Sequence, residues 1–246
     1  VWGGAPNLSM ISVQNPQDIN LQYVIIEAGA PKAQVCAIRQ EGSGGPSLIT
    51  YEAVQVPGAY APSNPRPRGF EFSGLTKGDV VIGRGDWAGE IRITNCGRAT
   101  MLIDDSIASP LTVEGAEPVR DGFVALHAFM GLTCGDPIIS VKNNQNLVIG
   151  EAYLEQTPGA HVGLEGNPGE PAGYVTIFGS QRYTGMPDKK SENQSLLLWV
   201  NNYQGRYCEA TNGFDYPPST GYLTKHAGER PIDIIFLANC WIIPEI

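Results

Sequence analysis

The sequence predicts an all-β solenoid, a chain wound through many short strands. Three observations carry that expectation. Apolar and polar residues alternate with period two in many short runs, which marks strands with one buried face. A unit of strand, Asn corner and strand recurs along the chain. No amphipathic stretch long enough for a helix of ten residues occurs. The segment Ile138–Glu155 shows the unit most clearly. Residues Ile139 to Lys142 alternate, Leu147 to Ile149 alternate again, and a third run covers Ala152 to Leu154. Between the first two stands Asn143-Asn144-Gln145-Asn146. Asn tolerates left-handed backbone angles and bonds its own turn, so it suits a sharp corner.

Taken in order, the strands are expected at Leu8–Val13, Leu21–Glu27, Gln34–Arg39 and Leu48–Val56. A Pro-rich stretch, 57–69, then interrupts the pattern; its prolines forbid a central strand, so it reads as a surface excursion. Strands resume at Phe70–Ser73, Asp79–Ile82, Glu90–Thr94, Thr100–Ile103, Leu111–Glu114, Phe123–Phe129 and Ile138–Val141. They continue at Leu147–Ile149, Ala152–Leu154, His161–Leu164, Tyr174–Phe178, Leu196–Val200, Tyr222–Thr224 and Ile234–Leu237. Residues 185–194 and 211–221 read as loops. The whole chain, 1–246, is expected to form one domain.

Composition agrees. Only 17% of residues are charged, and 30 Gly and 19 Pro point to tight turns between strands. A net charge of −9 repels phosphate backbones and disfavours nucleic acid as a partner. No apolar run reaches the length of a membrane-spanning helix. The chain begins at Val1 with no signal peptide, which reads as a mature product or part of a longer chain. The five cysteines form no CxxC pair, so no metal site and no cofactor is expected. Cys96 and Cys240 each follow a recurring Asn and are expected at equivalent, inward positions.

The Asn spacing sets the period. Asn15 to Asn95 is 80 residues, three steps of about 27; Asn95 to Asn143 is 48, two steps of about 24. Asn201 and Asn239 follow at 58 and 38. A unit of roughly 20–30 residues without helices is the mark of a β-solenoid, here of about ten coils. Its interior is expected to carry Val13, Ile93, Val141, Leu147 and Ile149, with the corner Asn side chains stacked as a ladder. A β-sandwich is the competing fold; it fits the strand spacing but not the repeated Asn corner.

These repeated units, together with AYLEQTPGAHVGLEG followed by GYVTIFG, resemble the right-handed parallel β-helix class of the pectate-lyase-like superfamily. The resemblance implies a single-stranded right-handed parallel β-helix, an extracellular or cell- or virion-surface setting, and polysaccharide as the partner. Asp104-Asp105 also resembles the paired acids of polygalacturonase-like hydrolases. The later coils read Leu126-His127-Ala128 and Val141-Lys142-Asn143. They match neither the Gly-His-Gly turn nor the Arg-x-Lys segment of that family.

Asp104 and Asp105 are the catalytic candidates, since adjacent carboxylates can supply an acid and a base around a sugar oxygen. Alternation puts Glu151, Tyr153 and Glu155 on one strand face, with Glu165 one coil beyond, as a sugar-binding strip. Arg98 and Lys142, beside the Asn corners, are the cations a polysaccharide lyase would need. The segments Arg98–Asp105 and Lys142–Glu155 are expected to share one outward face. His127 reads as a core histidine, while His161 and His226 read as turn residues. Arg84-Gly85-Asp86 and the sequons at Asn7 and Asn193 gain meaning only in an exposed, secreted context. Two functions follow. One is acid/base hydrolysis of a neutral or mildly acidic polysaccharide. The other is a non-catalytic structural or adhesive segment of a fibre, spike or surface protein. Under either, a homo-oligomer is plausible.

Overall fold

The computed structural model describes residues 9–23, 25, 36–42, 48–52, 68–75, 79–84, 90–96, 99–104, 110–115, 124–131, 137–143, 146–154, 160–182, 196–214, 224–227 and 233–238. Among them the chain is all strand and turn, with no helix. The strands are β1 (Ser9–Gln14), β2 (Asp18–Gln22), β3 (Cys36–Glu41), β4 (Leu48–Glu52), β5 (Arg68–Ser73) and β6 (Asp79–Arg84). Next come β7 (Glu90–Thr94), β8 (Ala99–Asp104), β9 (Leu111–Gly115), β10 (Val124–Gly131), β11 (Ile139–Asn143) and β12 (Leu147–Leu154). The last are β13 (Ala160–Glu165), β14 (Pro171–Arg182), β15 (Leu196–Asn201), β16 (Gln204–Phe214), β17 (Thr224–Ala227) and β18 (Asp233–Ala238).

Odd-numbered strands form one nine-stranded sheet in chain order, and even-numbered strands form a second. Every pairing is parallel. The chain therefore crosses from one sheet to the other at each step and lands one strand further along. This is compatible with a β-solenoid. It rules out the antiparallel sheets of a sandwich. Among the described residues each repeat holds two strands, and nine repeats stand where about ten were expected.

The core lies between the sheets. One buried row of the first sheet runs Ile38, Phe70, Ile91, Leu111, Ile139, Val162 and Leu198. A second runs Phe72, Ile93, Val113, Val141, Leu164 and Val200, with Gln40 buried in the same row. The second sheet answers with Val124, Leu147, Val175 and Tyr207, and with Leu126, Ile149 and Ile177. All except Gln40 belong to one apolar cluster. Strands β5, β7, β9, β11 and β13 each bury at least two such side chains, each worth about 1.5–3 kcal/mol against exposure. Of the expected inner residues, Ile93, Val141, Leu147 and Ile149 are fully buried. Val13, on β1, is only half-buried, and among the described residues β1 is the edge strand of its sheet.

A left-handed corner follows six of the first-sheet strands. Asn15, Asn95, Asn143 and Asn202 have φ of 45, 53, 58 and 52°, and Gly42 and Gly74 have φ of 67°. Only Gly, and Asn after it, adopts this region at low cost. The backbone ladder continues through the corner. The Asn15, Gly42, Gly74 and Asn95 N–H groups donate to Glu41, Ser73, Thr94 and Glu114 carbonyls at 2.7–3.0 Å. The expected Asn ladder does not form, because Asn and Gly interleave. Asn15 lies against Gly42, where a Cβ would run into its side-chain oxygen. Asn143 pairs in register with Gly115.

Other expectations need correction. The corner in the eighth repeat is Asn202; Asn201 is the last residue of β15, in register with Glu165. Asn239 and Cys240 lie outside the described residues; the strand before them, β18, belongs to the second sheet, whereas β7, before Asn95, belongs to the first. Cys96 is buried and is not in a disulfide; its thiol donates to the Thr94 carbonyl at 3.5 Å. The Pro-rich excursion ends sooner than expected, since β5 already begins at Arg68; residues 57–67 lie outside the described ones. The strands expected at Leu147–Ile149 and Ala152–Leu154 are one strand, kinked at Glu151, whose φ is 56°. Strand β16 has no counterpart in the expected set and takes in residues 211–214, which read as loop. His161 is buried in β13 and His226 lies in β17, so neither is a turn residue.

Candidate functional site

Residues that alternate with the buried rows build the outer face of the first sheet, and they are polar except where Gly163 and Trp199 continue the first row beyond Ser140. One outward row passes through Ser12, Arg39, Glu71, Arg92, Thr112 and Ser140. The next passes through Gln14, Glu41, Ser73, Thr94, Glu114, Lys142 and Glu165. Opposite charges meet across neighbouring strands. The Arg39 guanidinium donates to Glu71 Oε2 from Nη2 at 3.0 Å and from Nε at 3.3 Å. Arg92 Nη2 donates to Glu114 Oε2 at 3.2 Å, and Lys142 Nζ lies 3.5 Å from Glu165 Oε2. The Arg39 pair is the best shielded, with side chains 17% and 18% exposed. The Lys142 pair is open to solvent, where such contacts contribute 0 to about 1 kcal/mol.

Sequence reasoning brought some candidates together and separated others. Asn95 and Asn143 are equivalent corners two repeats apart, as expected, so the segments after them enter the same sheet as β8 and β12. One strand, β10, lies between them. Asp104, at the end of β8, therefore shares a sheet with Glu151 and Tyr153 of β12. The two strands are about 10 Å apart at about 4.8 Å per step. Glu151 is exposed and Tyr153 half-buried, with Ala152 buried between them, so both face outward. Lys142 does not join them. It precedes the left-handed turn at Asn143 and stands on the outer face of the first sheet. Glu165 is likewise in the first sheet, as the partner of Lys142, and not one coil beyond Glu151. In register, Asp104 pairs with Arg84, which in turn pairs with Glu52. Arg98, Asp105 and Glu155 lie outside the described residues, as do Gly85, Asp86, Asn7 and Asn193.

Two polar groupings escaped sequence reasoning. Glu209 sits in an otherwise apolar inner row of the second sheet and is 1% exposed. Ser180 Oγ donates to its Oε1 at 2.6 Å, and the Tyr207 hydroxyl donates to its Oε2. A buried carboxyl needs such donors. The grouping faces the interior, away from any solute. The alternation of Tyr207 and Glu209 was the only signal in the sequence, in a stretch to which no strand was assigned. Nearby, Tyr203 fills the corner behind Asn202, and its hydroxyl donates to the Gly173 carbonyl at 2.8 Å. Burial pushes that phenol well above its ordinary pKa.

Among the described residues no three His, Cys, Asp or Glu side chains gather as a metal site. None of the described helices is long and apolar enough to cross a membrane, since there are none. No protein-family model, curated protein or solved structure matches the chain.

Proposed function

We propose that this chain is a right-handed parallel β-solenoid acting as a non-catalytic structural or adhesive segment of a fibre, spike or surface protein. The handedness follows from the parallel crossovers, which are right-handed in about 98% of such connections. The observation that carries the reading is the pairing of charge on the polar face. A glycoside-cleaving site needs two carboxyl groups facing each other across a sugar. Glu71, Glu114 and Glu165 each face a cation on the next strand instead. Such pairs tie successive strands together along the stack. A regular, ladder-paired rod with a polar outer face is what a spacer on an extracellular, cell or virion surface requires.

Hydrolysis of a polysaccharide is the second reading. It is favoured by Asp104 standing in one sheet with Glu151 and Tyr153, at a separation one or two sugar units span. Incubation with a panel of neutral and acidic polysaccharides separates the two, with reducing ends and unsaturated products both measured. The structural reading expects no release above a heat-denatured control. Turnover that disappears in Asp104→Asn, with the fold intact, would establish the enzyme.

A further inference from the structure

The outer face of the second sheet mixes charged, polar and aromatic residues, and two exposed aromatic rings stand close together on it. Tyr174 and Phe178 both point outward from β14, at 42% and 49% exposure. Four residues at about 3.3 Å each put them roughly 13 Å apart along the strand. Phe178 pairs in register with Gly150 on one side and Ala210 on the other, so no large side chain stands directly opposite the ring. Gly150 is buried although it stands in an outward row, which a ring lying flat across it accounts for. Such a ring turns its second face to solvent. Charged and polar groups frame the pair. Arg206 is exposed beside Tyr174, with Asp233 next in its row. Glu151, on β12, and Gln181, further along β14, are exposed just beyond Phe178. Glu151 is the unusual member. Its φ of 56° lies at the bend it shares with Gly179, and Gly takes that angle without steric cost. A non-Gly residue kept in such a region points to a role for its side chain. Here that side chain is a carboxylate on the strand next to Phe178.

We propose that Tyr174, Phe178 and Glu151 form a binding strip for a neutral oligosaccharide chain. Three features select that ligand. The first is stacking. The flat side of a pyranose presents polarised C–H bonds, and the face of an aromatic ring carries the negative charge that attracts them. Two rings about 13 Å apart suit a run of about three sugar units better than a single one. The second is charge. A net charge of −9 opposes a polyanion, and Arg206 beside Tyr174 opposes a polycation. A neutral ligand meets neither penalty. Its hydroxyls both donate and accept, so the Glu151 carboxylate, the Gln181 amide and the Arg206 guanidinium all serve them. The third is shape. Strands β12, β14 and β16 pair side by side, so an extended chain can lie along β14 without entering a pocket. The inference rests on the adhesive side of the reading above and names its ligand; it requires no turnover.

The test is affinity electrophoresis of the intact chain through native gels that contain soluble glucans, xylans, mannans or galactans, with acidic polysaccharides in parallel. Retardation by at least one neutral polysaccharide is expected, relieved by oligosaccharides cut from it. Phe178→Ala and Tyr174→Ala should each weaken retention about 10-fold or more, with the circular dichroism of the sheets unchanged. Thr112→Ala, on the outer face of the first sheet, should leave retention as it is. If Phe178→Ala fails to fold, Phe178→Leu keeps an apolar cover on Gly150 without the aromatic face. That variant must lose retention, and Phe178→Tyr must keep it. Glu151→Gly relieves the backbone, so it should melt higher than the wild type and yet be retained less. A Glu151→Gly protein retained like the wild type overturns the assignment. So does retention by no neutral polysaccharide, retention by acidic ones alone, or retention that survives in the folded Phe178 and Tyr174 variants. Reducing ends measured in the same mixtures keep this proposal apart from the reading it rests on. Retention with release overturns the non-catalytic reading and leaves the strip standing. Neither retention nor release overturns the strip and leaves the structural reading standing.

Discussion

Tyr203 shows how much one residue does in a stack of thin repeats. It is fully buried, its ring closes the corner behind Asn202, and its hydroxyl satisfies the Gly173 carbonyl. Gly205 lies so close that a Cβ there would run into the Gly173 oxygen and approach the Tyr203 ring at 2.5 Å. The phenol's raised pKa has a definite consequence for stability. A group whose pKa is higher in the folded state contributes fully below its unfolded pKa, about 10 for Tyr, and loses that contribution as pH rises further. Tyr203→Phe should cost about 1 kcal/mol at pH 7 through the lost hydrogen bond. Above about pH 10 the wild type gives up about 1.4 kcal/mol per pH unit from this group alone. The difference between the two proteins should therefore shrink and reverse near about pH 11. Urea unfolding of both at pH 7, 9 and 11 measures this, and a constant difference would contradict it.

At the scale of the element, the left-handed corner is the feature that six of the described repeats share. Residues without a specific αL preference pay about 1–2 kcal/mol there, while Gly pays nothing sterically. Asn143→Ala should accordingly lower stability by about 1–2 kcal/mol, and Asn143→Gly by well under 1 kcal/mol. Thermal melts of the two variants check the order. Equal losses would mean that the Asn143 side chain, and not its backbone angle, matters. The same logic explains why Gly stands at 42 and 74 where Asn stands at 15 and 95: the backbone demand is shared and the side chain is not. The kink at Glu151 is a departure, since Glu adopts φ of 56° at a cost. In register it matches Gly179, which also has positive φ, so two neighbouring strands bend together.

For the whole molecule, stability should be close to a sum over repeats, because each strand pairs only with the strands before and after it in its sheet. Deleting residues 96–115 removes β8 and β9 and joins the corner at Asn95 to the segment leading into β10. Strand β7 then meets β11, stacking Ile91 on Ile139 and Ile93 on Val141, as in the intact rows. The shortened chain should fold, with a β-rich circular dichroism spectrum and a single cooperative melt below that of the wild type. A molten or insoluble product would show that the repeats are not modular.

Much of this was written in the sequence. Period-two alternation located nearly every strand, because the side-chain period of a strand is local and any buried face imprints it. The Asn corners at 15, 95 and 143, and the number of repeats between them, followed from a backbone angle that few residues tolerate. Strand β16 stayed hidden because Gly205, Thr211, Asn212 and Gly213 read as turn, and only pairing with β14 and β18 holds that stretch extended. Which candidate residues meet was decided elsewhere. Lys142 and Glu151 are nine positions apart in the chain and stand on different sheets, since one left-handed corner intervenes. The partners of Arg39, Arg92 and Glu209 lie 32, 22 and 29 residues away. Contacts of that kind are set by the register of parallel strands. Register comes from closing the core across both sheets, and no local stretch of sequence contains it.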